Sequence, residues 1–163
     1  MKRKVHIILP DIRSAHNVGS IFRSADCFGV EKVYIVGTTP SPVDRWGRTD
    51  VGPQKEIAKT ALGAEKSVSW EYSEDMVSLL KKLKKEDFHI IAIEQDDRSI
   101  DLQDFNTSVT DEKIVLVFGS EVGGLHKDIL KKMDTVIELP MKGEKESLNV
   151  AVCAGVVMYE ILK

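Results

Sequence analysis

Three short blocks of this chain combine polar side chains with glycine at fixed spacing. The first runs Asn17-x-Gly19, then Arg23 and Ala25. The second is Gly119-x-Glu121-x-x-Gly124-Leu125, and the third pairs Pro140-Met141 with Ser147-Leu148-Asn149-Val150. Together they offer a five-donor cation, amides, a carboxylate, a hydroxyl and glycines that let backbone come close to a ligand. Such a set suits a nucleoside-like small molecule and the stabilisation of charge developing on an oxygen. The glycine turn at 119–124 lacks the Gly-Lys-Ser/Thr ending of a phosphate loop and the G-x-G-x-x-G of a dinucleotide fold. ATP and NAD are therefore disfavoured. There is no Ser–His–Asp arrangement. The histidines, His6, His16, His89 and His126, follow no ligand spacing, so no metal is expected.

Each residue also has an ordinary explanation. An arginine on a helix is usually a solvated surface group. Arg23 points away from the apolar positions Ile21, Phe22, Ala25 and Phe28 of its helix. Glu121 is either an exposed turn acid or a group that orients Arg23 through a charge-assisted hydrogen bond. Ser147 suits the N-cap of the last helix. Asn149, an amide beside a long apolar run, needs hydrogen-bond partners.

The elements that must position these groups alternate between strand and helix. Residues 4–9 (KVHIIL) form a strand that ends at Pro10-Asp11. A helix follows over 18–28, with Asn17 as N-cap and Gly29 just past its end. Strands are expected at 32–36, 66–72, 88–93, 113–118 and 135–139. Helices are expected at 56–62, at 76–85 with Ser73 as cap, at 127–132 and at 148–162. Residues 38–53 read as a long exposed loop, and such loops are usually functional or mobile. The pattern specifies an α/β domain with a mostly parallel sheet and helices on both faces. Ligands of such sheets sit outside the C-terminal strand ends. The last helix is apolar around its whole circumference, including Val150, Val152, Val156, Val157 and Ile161, so a second subunit is the natural cover for it.

At 163 residues the chain is expected to be one domain, 1–163. No apolar run reaches the roughly 20 residues of a membrane span. Cys27 and Cys153 match no metal spacing and read as small core residues of a cytoplasmic protein. The net charge is −3, but residues 1–60 carry ten Lys/Arg against six Asp/Glu, while the remainder is acidic. The basic part, with Arg13, Arg23, Arg45, Arg48 and Lys55, is the part suited to phosphate.

The three blocks in this order resemble the SpoU (TrmH) family of RNA ribose 2′-O-methyltransferases, within the SPOUT superfamily. The resemblance spans nearly the whole chain. It implies a C-terminal deep trefoil knot, which general rules of chain topology would not suggest. It also implies a homodimer packed through the last helix, and RNA (tRNA slightly favoured over rRNA) as substrate. S-adenosylmethionine would be bound near Ile93, Glu94, Gly119, Glu121, Gly124, Leu139, Met141, Ser147 and Leu148. Arg23 would be the catalytic residue, with Asn17, Glu121, Ser147 and Asn149 arranging it and the substrate. The alternatives are a non-catalytic RNA-binding protein of the same fold and an unrelated nucleotide-binding α/β protein.

Overall fold

The computed structural model describes residues 3–105 and 112–163. In chain order the elements are β1 (Lys4–Pro10), α1 (Ala15–Phe28), β2 (Lys32–Val36), α2 (Gly52–Ala61), α3 (Ala64–Ser67) and β3 (Ser69–Ser73). They continue as α4 (Met76–Lys85), β4 (His89–Ile93), β5 (Ile100–Asp101), β6 (Lys113–Phe118), α5 (Lys127–Leu130), β7 (Thr135–Glu138) and α6 (Val150–Leu162). The strands form one sheet in the order β3-β2-β1-β6-β4-β7-β5, and every pairing is parallel.

Successive side chains of a strand point to opposite faces, so apolar runs without a polar face feed two cores. Val5, Ile7 and Leu9 of β1, with Leu116 and Phe118 of β6, join residues of α1, α2, α3 and α6 on one side. Ile8 of β1 and Val115 and Val117 of β6 join Leu79, Leu80 and Leu83 of α4 and Leu130 of α5 on the other. The chain moves outward from β1 to β2 and β3, then crosses to β4 beyond β6. That reversal of direction places the C-terminal ends of β6, β4 and β7 at a crevice.

The helix caps differ from those expected. Ser14, not Asn17, caps α1 and accepts from Asn17 N at 3.2 Å. Asn17 therefore lies in the first turn, buried, with its amide free for other partners. Gly29 ends the helix in the left-handed region, at φ 72°. Asp75 rather than Ser73 caps α4, accepting from Val77 N and Ser78 N. Asn149 rather than Ser147 caps α6, accepting from Ala151 N at 2.9 Å and Val152 N at 3.3 Å.

Other boundaries also shift. Gly52 and Pro53 open α2, because proline tolerates the first helical turn. The expected strand at 66–72 is split into α3 and a shorter β3, and the two-residue edge strand β5 was not expected. Cys27 is exposed rather than in the core.

Gly19 is a packing glycine. A Cβ there would lie 2.0 Å from Thr60 Oγ1 and 2.4 Å from Ile57 O of α2. Thr60 Oγ1 donates to His16 O at 3.0 Å and joins the two helices where they meet.

Only part of α6 faces the core. Ala154, Val157, Met158 and Ile161 are buried, whereas Val152, Val156 and Tyr159 are 54%, 44% and 61% exposed. Val157 thus belongs to this chain's own core, and the uncovered apolar stripe lies elsewhere on the helix. No helix is long and apolar enough to cross a membrane among the described residues.

Candidate functional site

A cavity of about 670 Å³ opens at the C-terminal ends of β4, β6 and β7. All nine residues named above for cofactor binding line it, from Ile93 and Glu94 through Gly119, Glu121 and Gly124 to Leu139, Met141, Ser147 and Leu148. Asn149 and Val150 line it too, as do Gln95, Phe118, Glu138, Glu146 and Cys153, which sequence reasoning had not assigned to a site. Gln95 Nε2 donates to Glu146 O at 2.8 Å and ties the end of β4 to the loop before α6.

Glu94 shapes the wall. Its Oε2 accepts from Leu125 N at 2.9 Å, and its Oε1 from Gln95 N at 3.1 Å. The carboxylate therefore clasps the 119–125 turn against the end of β4. A Cβ at Gly119 would lie 2.7 Å from Glu94 Oε2 and 3.1 Å from the backbone of Gly124. Gly124 has φ +62°, and a Cβ there would meet the same carboxylate at 2.2 Å. Both glycines are thus required by this internal close approach, before any ligand is considered.

The three sequence blocks meet in one chain of hydrogen bonds. Glu121 Oε2 accepts from Arg13 N at 3.0 Å, and its Oε1 accepts from Ser14 N at 3.3 Å and from Asn17 Nδ2 at 3.1 Å. Asn17 Oδ1 accepts from Asn149 Nδ2 at 3.1 Å. Asn149 Oδ1 then receives the first free N–H groups of α6. An ionised carboxylate only accepts, so Glu121 fixes the orientation of both amides. Burial would raise the Glu121 pKa, but the hydrogen bonds from Arg13 N, Asn17 and Ser14 N outweigh it and hold the carboxyl below its usual value.

Glu121 does not orient Arg23. That arginine is exposed on α1 and does not line the cavity. It lies six residues beyond Asn17, about 9 Å along the helix axis. Arg13, Arg45, Arg48 and Lys55 are also exposed, all in the loops and the helix that follow β1 and β2. Cys153, in the cavity wall, has its thiol pKa pushed up to about 11 by burial and by the nearby charge of Glu94, so it stays protonated. No group of His, Cys, Asp and Glu among the described residues is placed to hold a metal ion.

The model of the SpoU rRNA Methylase family matches residues 4–159. The chain belongs to this family. Among its curated relatives is a protein named for the TrmH family of tRNA/rRNA methyltransferases, YacO of Bacillus subtilis (strain 168). It is 30% identical over 157 residues, covering 96% of this chain and 57% of the relative. The chain thus spans little more than half the length of that relative. Its fold is that of an AdoMet-bound rRNA methyltransferase from Sinorhizobium meliloti, with a TM-score of 0.85 at 20% identity, over 99% of this chain and 56% of the other. An RNA 2′-O ribose methyltransferase matches with a TM-score of 0.79 at 23% identity, over 99% and 57% of the two chains. The parallel sheet with helices on both faces is therefore the fold of these solved methyltransferases.

Proposed function

We propose that this chain transfers the methyl group of S-adenosylmethionine to a ribose 2′-hydroxyl of RNA, with tRNA slightly favoured over rRNA, as a homodimer packed through α6. The hydrogen-bond chain Glu121–Asn17–Asn149 carries this reading. It fastens the first block to the two others, more than a hundred residues further along the chain, and both of those line one cavity.

The cavity fits the cofactor in size and lining. Small-molecule sites typically enclose about 300–1,000 Å³ with mostly apolar walls and a few placed polar groups. Here Ile93, Phe118, Leu139, Leu148 and Val150 supply the apolar wall, and Glu94, Glu138 and Glu146 add negative charge suited to a cationic ligand. The backbone of Ile93, Gly119, Leu139 and Leu148 would hold the adenosine part. When bound, the cofactor supplies an electrophilic methyl group.

The chain's own residues then hold the ribose and its charge. Arginine keeps its proton in proteins, so Arg23 acts by stabilising negative charge on the hydroxyl oxygen as it attacks, and the hydroxyl proton is released to water. Standing outside the lining of its own cavity, it serves an RNA that overhangs the mouth or reaches it across the subunit interface. Ser147 and Asn149, just before α6, line the cavity and would meet the ribose there. Holding the oxygen in line with the methyl group supplies much of the rate.

The test is single-turnover transfer of labelled methyl to RNA from cells lacking the protein, with 2′-O-methyl positions mapped. Transfer to a ribose is expected from wild type, and a loss of roughly 10²–10³ in rate from Arg23→Ala. Cofactor affinity should be almost unchanged in that variant. RNA binding without transfer would make the chain a non-catalytic RNA-binding protein. Wild-type rates in Arg23→Ala would remove that residue from the mechanism.

A further inference from the structure

The loop after β2 carries an exposed aromatic residue that neither the cavity nor the hydrogen-bond chain uses. Trp46 is 64% exposed. Two guanidinium groups lie on its ring, with Arg45 Cζ 4.0 Å and Arg48 Cζ 4.8 Å from the centroid. The two cations are held differently. Arg48 is fixed to Asp44, with Nε 2.8 Å and Nη2 2.7 Å from Oδ2. Arg45 makes no hydrogen bond or ion pair among the described residues, so its place on the ring is held by the cation–π contact alone.

The loop beneath this stack is built. Asp44 Oδ1 accepts from Trp46 N and Arg48 N, both at 2.9 Å. Asp44 N donates to Arg48 O at 3.0 Å, and Gly47 N to Asp44 O at 3.0 Å. Gly47 turns the chain at φ 78°. Five residues thus close on one carboxylate and present the indole outward. An exposed tryptophan costs solubility and contributes nothing to either core, so its presentation beside two cations needs another reason.

We propose that Trp46 is a stacking platform for one unpaired base of the RNA substrate, with Arg45 as its displaceable cover. The inference rests on the reading that RNA is the substrate. Every nucleobase has a π-face, and aromatic side chains and guanidinium planes are the surfaces on which unpaired bases stack. A base would take the face that Arg45 covers. Arg45 would then be free to pair with a phosphate, while Arg48, tethered by Asp44, stays against the ring. Lys55, exposed on α2, adds charge along the backbone path. The loop follows a C-terminal strand end, as the cavity does, so one RNA can meet both on the same rim of the sheet. A duplex has no free base face, so the platform selects single-stranded loops over helices.

The test uses intrinsic fluorescence, since the chain has two tryptophans, Trp46 and Trp70. The probes are an oligouridine, a stem-loop RNA and a blunt RNA duplex. In a Trp70→Phe background, the oligouridine and stem-loop should quench Trp46 emission, and the duplex should not. Trp46→Ala should weaken binding of the unpaired probes roughly 5- to 150-fold and slow methyl transfer at limiting RNA. Trp46→Phe should keep most of the affinity. The salt dependence of binding should persist in Trp46→Ala, because the phosphate contacts remain. If RNA is bound and methylated with no quenching, and Trp46→Ala binds as wild type, the platform is rejected while the RNA reading stands. If wild type neither binds nor methylates RNA, both fall together.

Discussion

Asn149 Nδ2 donates to Asn17 Oδ1 at 3.1 Å across 132 residues of sequence. The same Asn17 donates to Glu121, so its amide has one orientation only. Asn17→Asp would leave two carboxylates facing each other with no proton between them. A loss of about 2–3 kcal/mol is expected, the upper part of the range for a hydrogen bond to a charged group. Glu121→Gln in that background restores a donor opposite Asp, and should recover more than half of the loss. A double-mutant cycle by urea unfolding measures the coupling. Simple additivity of the two changes would mean that this bond does not order the site.

The glycine turn should be sensitive to its clasp. Gly119→Val would drive a side chain into Glu94 Oε2 and the Gly124 backbone, both within 3.1 Å of the new Cβ. Glu94→Ala removes the acceptor for Leu125 N and Gln95 N. Each change should weaken S-adenosylmethionine binding at least tenfold, or about 1.4 kcal/mol, without loss of the fold. Calorimetry showing unchanged affinity in both variants would move the cofactor to another cavity.

The uncovered stripe on α6 gives the assembly test. Val156→Glu places a charge among Val152, Val156 and Tyr159 without entering the core. Wild type is expected to be dimeric by light scattering at micromolar concentration, and the variant monomeric with an almost unchanged unfolding midpoint. A monomeric wild type would reject the homodimer. Val157→Glu is not a fair test, because that side chain is fully buried in its own subunit.

Stability should fall in mild acid through His6. Burial and then the charge of Lys4 lower its pKa from 6.5 to about 4, with Lys32 adding to this and Glu31 opposing it. The ring packs against Phe88, with centroids 4.5 Å apart, and against Tyr34 at 5.7 Å. Between about pH 6.5 and about pH 4 the unfolded chain takes up a proton that the folded chain does not, so stability drops as pH falls through that window. His6→Phe should flatten this part of the profile. Urea midpoints measured across the window would show it, and parallel profiles for the two proteins would exclude His6 as the source.

The sheet was readable because unbroken apolar runs such as KIVLVF have no polar face and fit only a strand covered on both sides. The caps were less so. Ser14, Asn17, Ser147 and Asn149 are all acceptable N-caps by type, and the choice was made by tertiary bonds that sequence spacing does not contain. Asn17 was drawn into the helix because Glu121 and Asn149 needed its amide. The cavity lining near the glycine turn followed from the block pattern, yet the reason for Gly119 and Gly124 lay in Glu94, which is far from them in sequence. Trp46 gave no periodic signal at all. Its meaning depends on two cations that only the folded loop brings onto the ring.

The loop that carries Trp46 is fastened to the body of the protein at both ends. Near its start, the buried Thr39 hydroxyl donates to Leu9 O at 2.7 Å and accepts from Ile12 N at 2.8 Å. Towards its end, Gln54 Nε2 reaches back to Ser41 O at 3.2 Å. A segment held this way has already lost most of its backbone freedom on folding. Fixing a free residue costs about 1–2 kcal/mol of entropy, and a loop ordered in advance is spared that loss when a ligand arrives. Contacts made there can therefore appear almost undiminished in the affinity, as they would on a rigid helix.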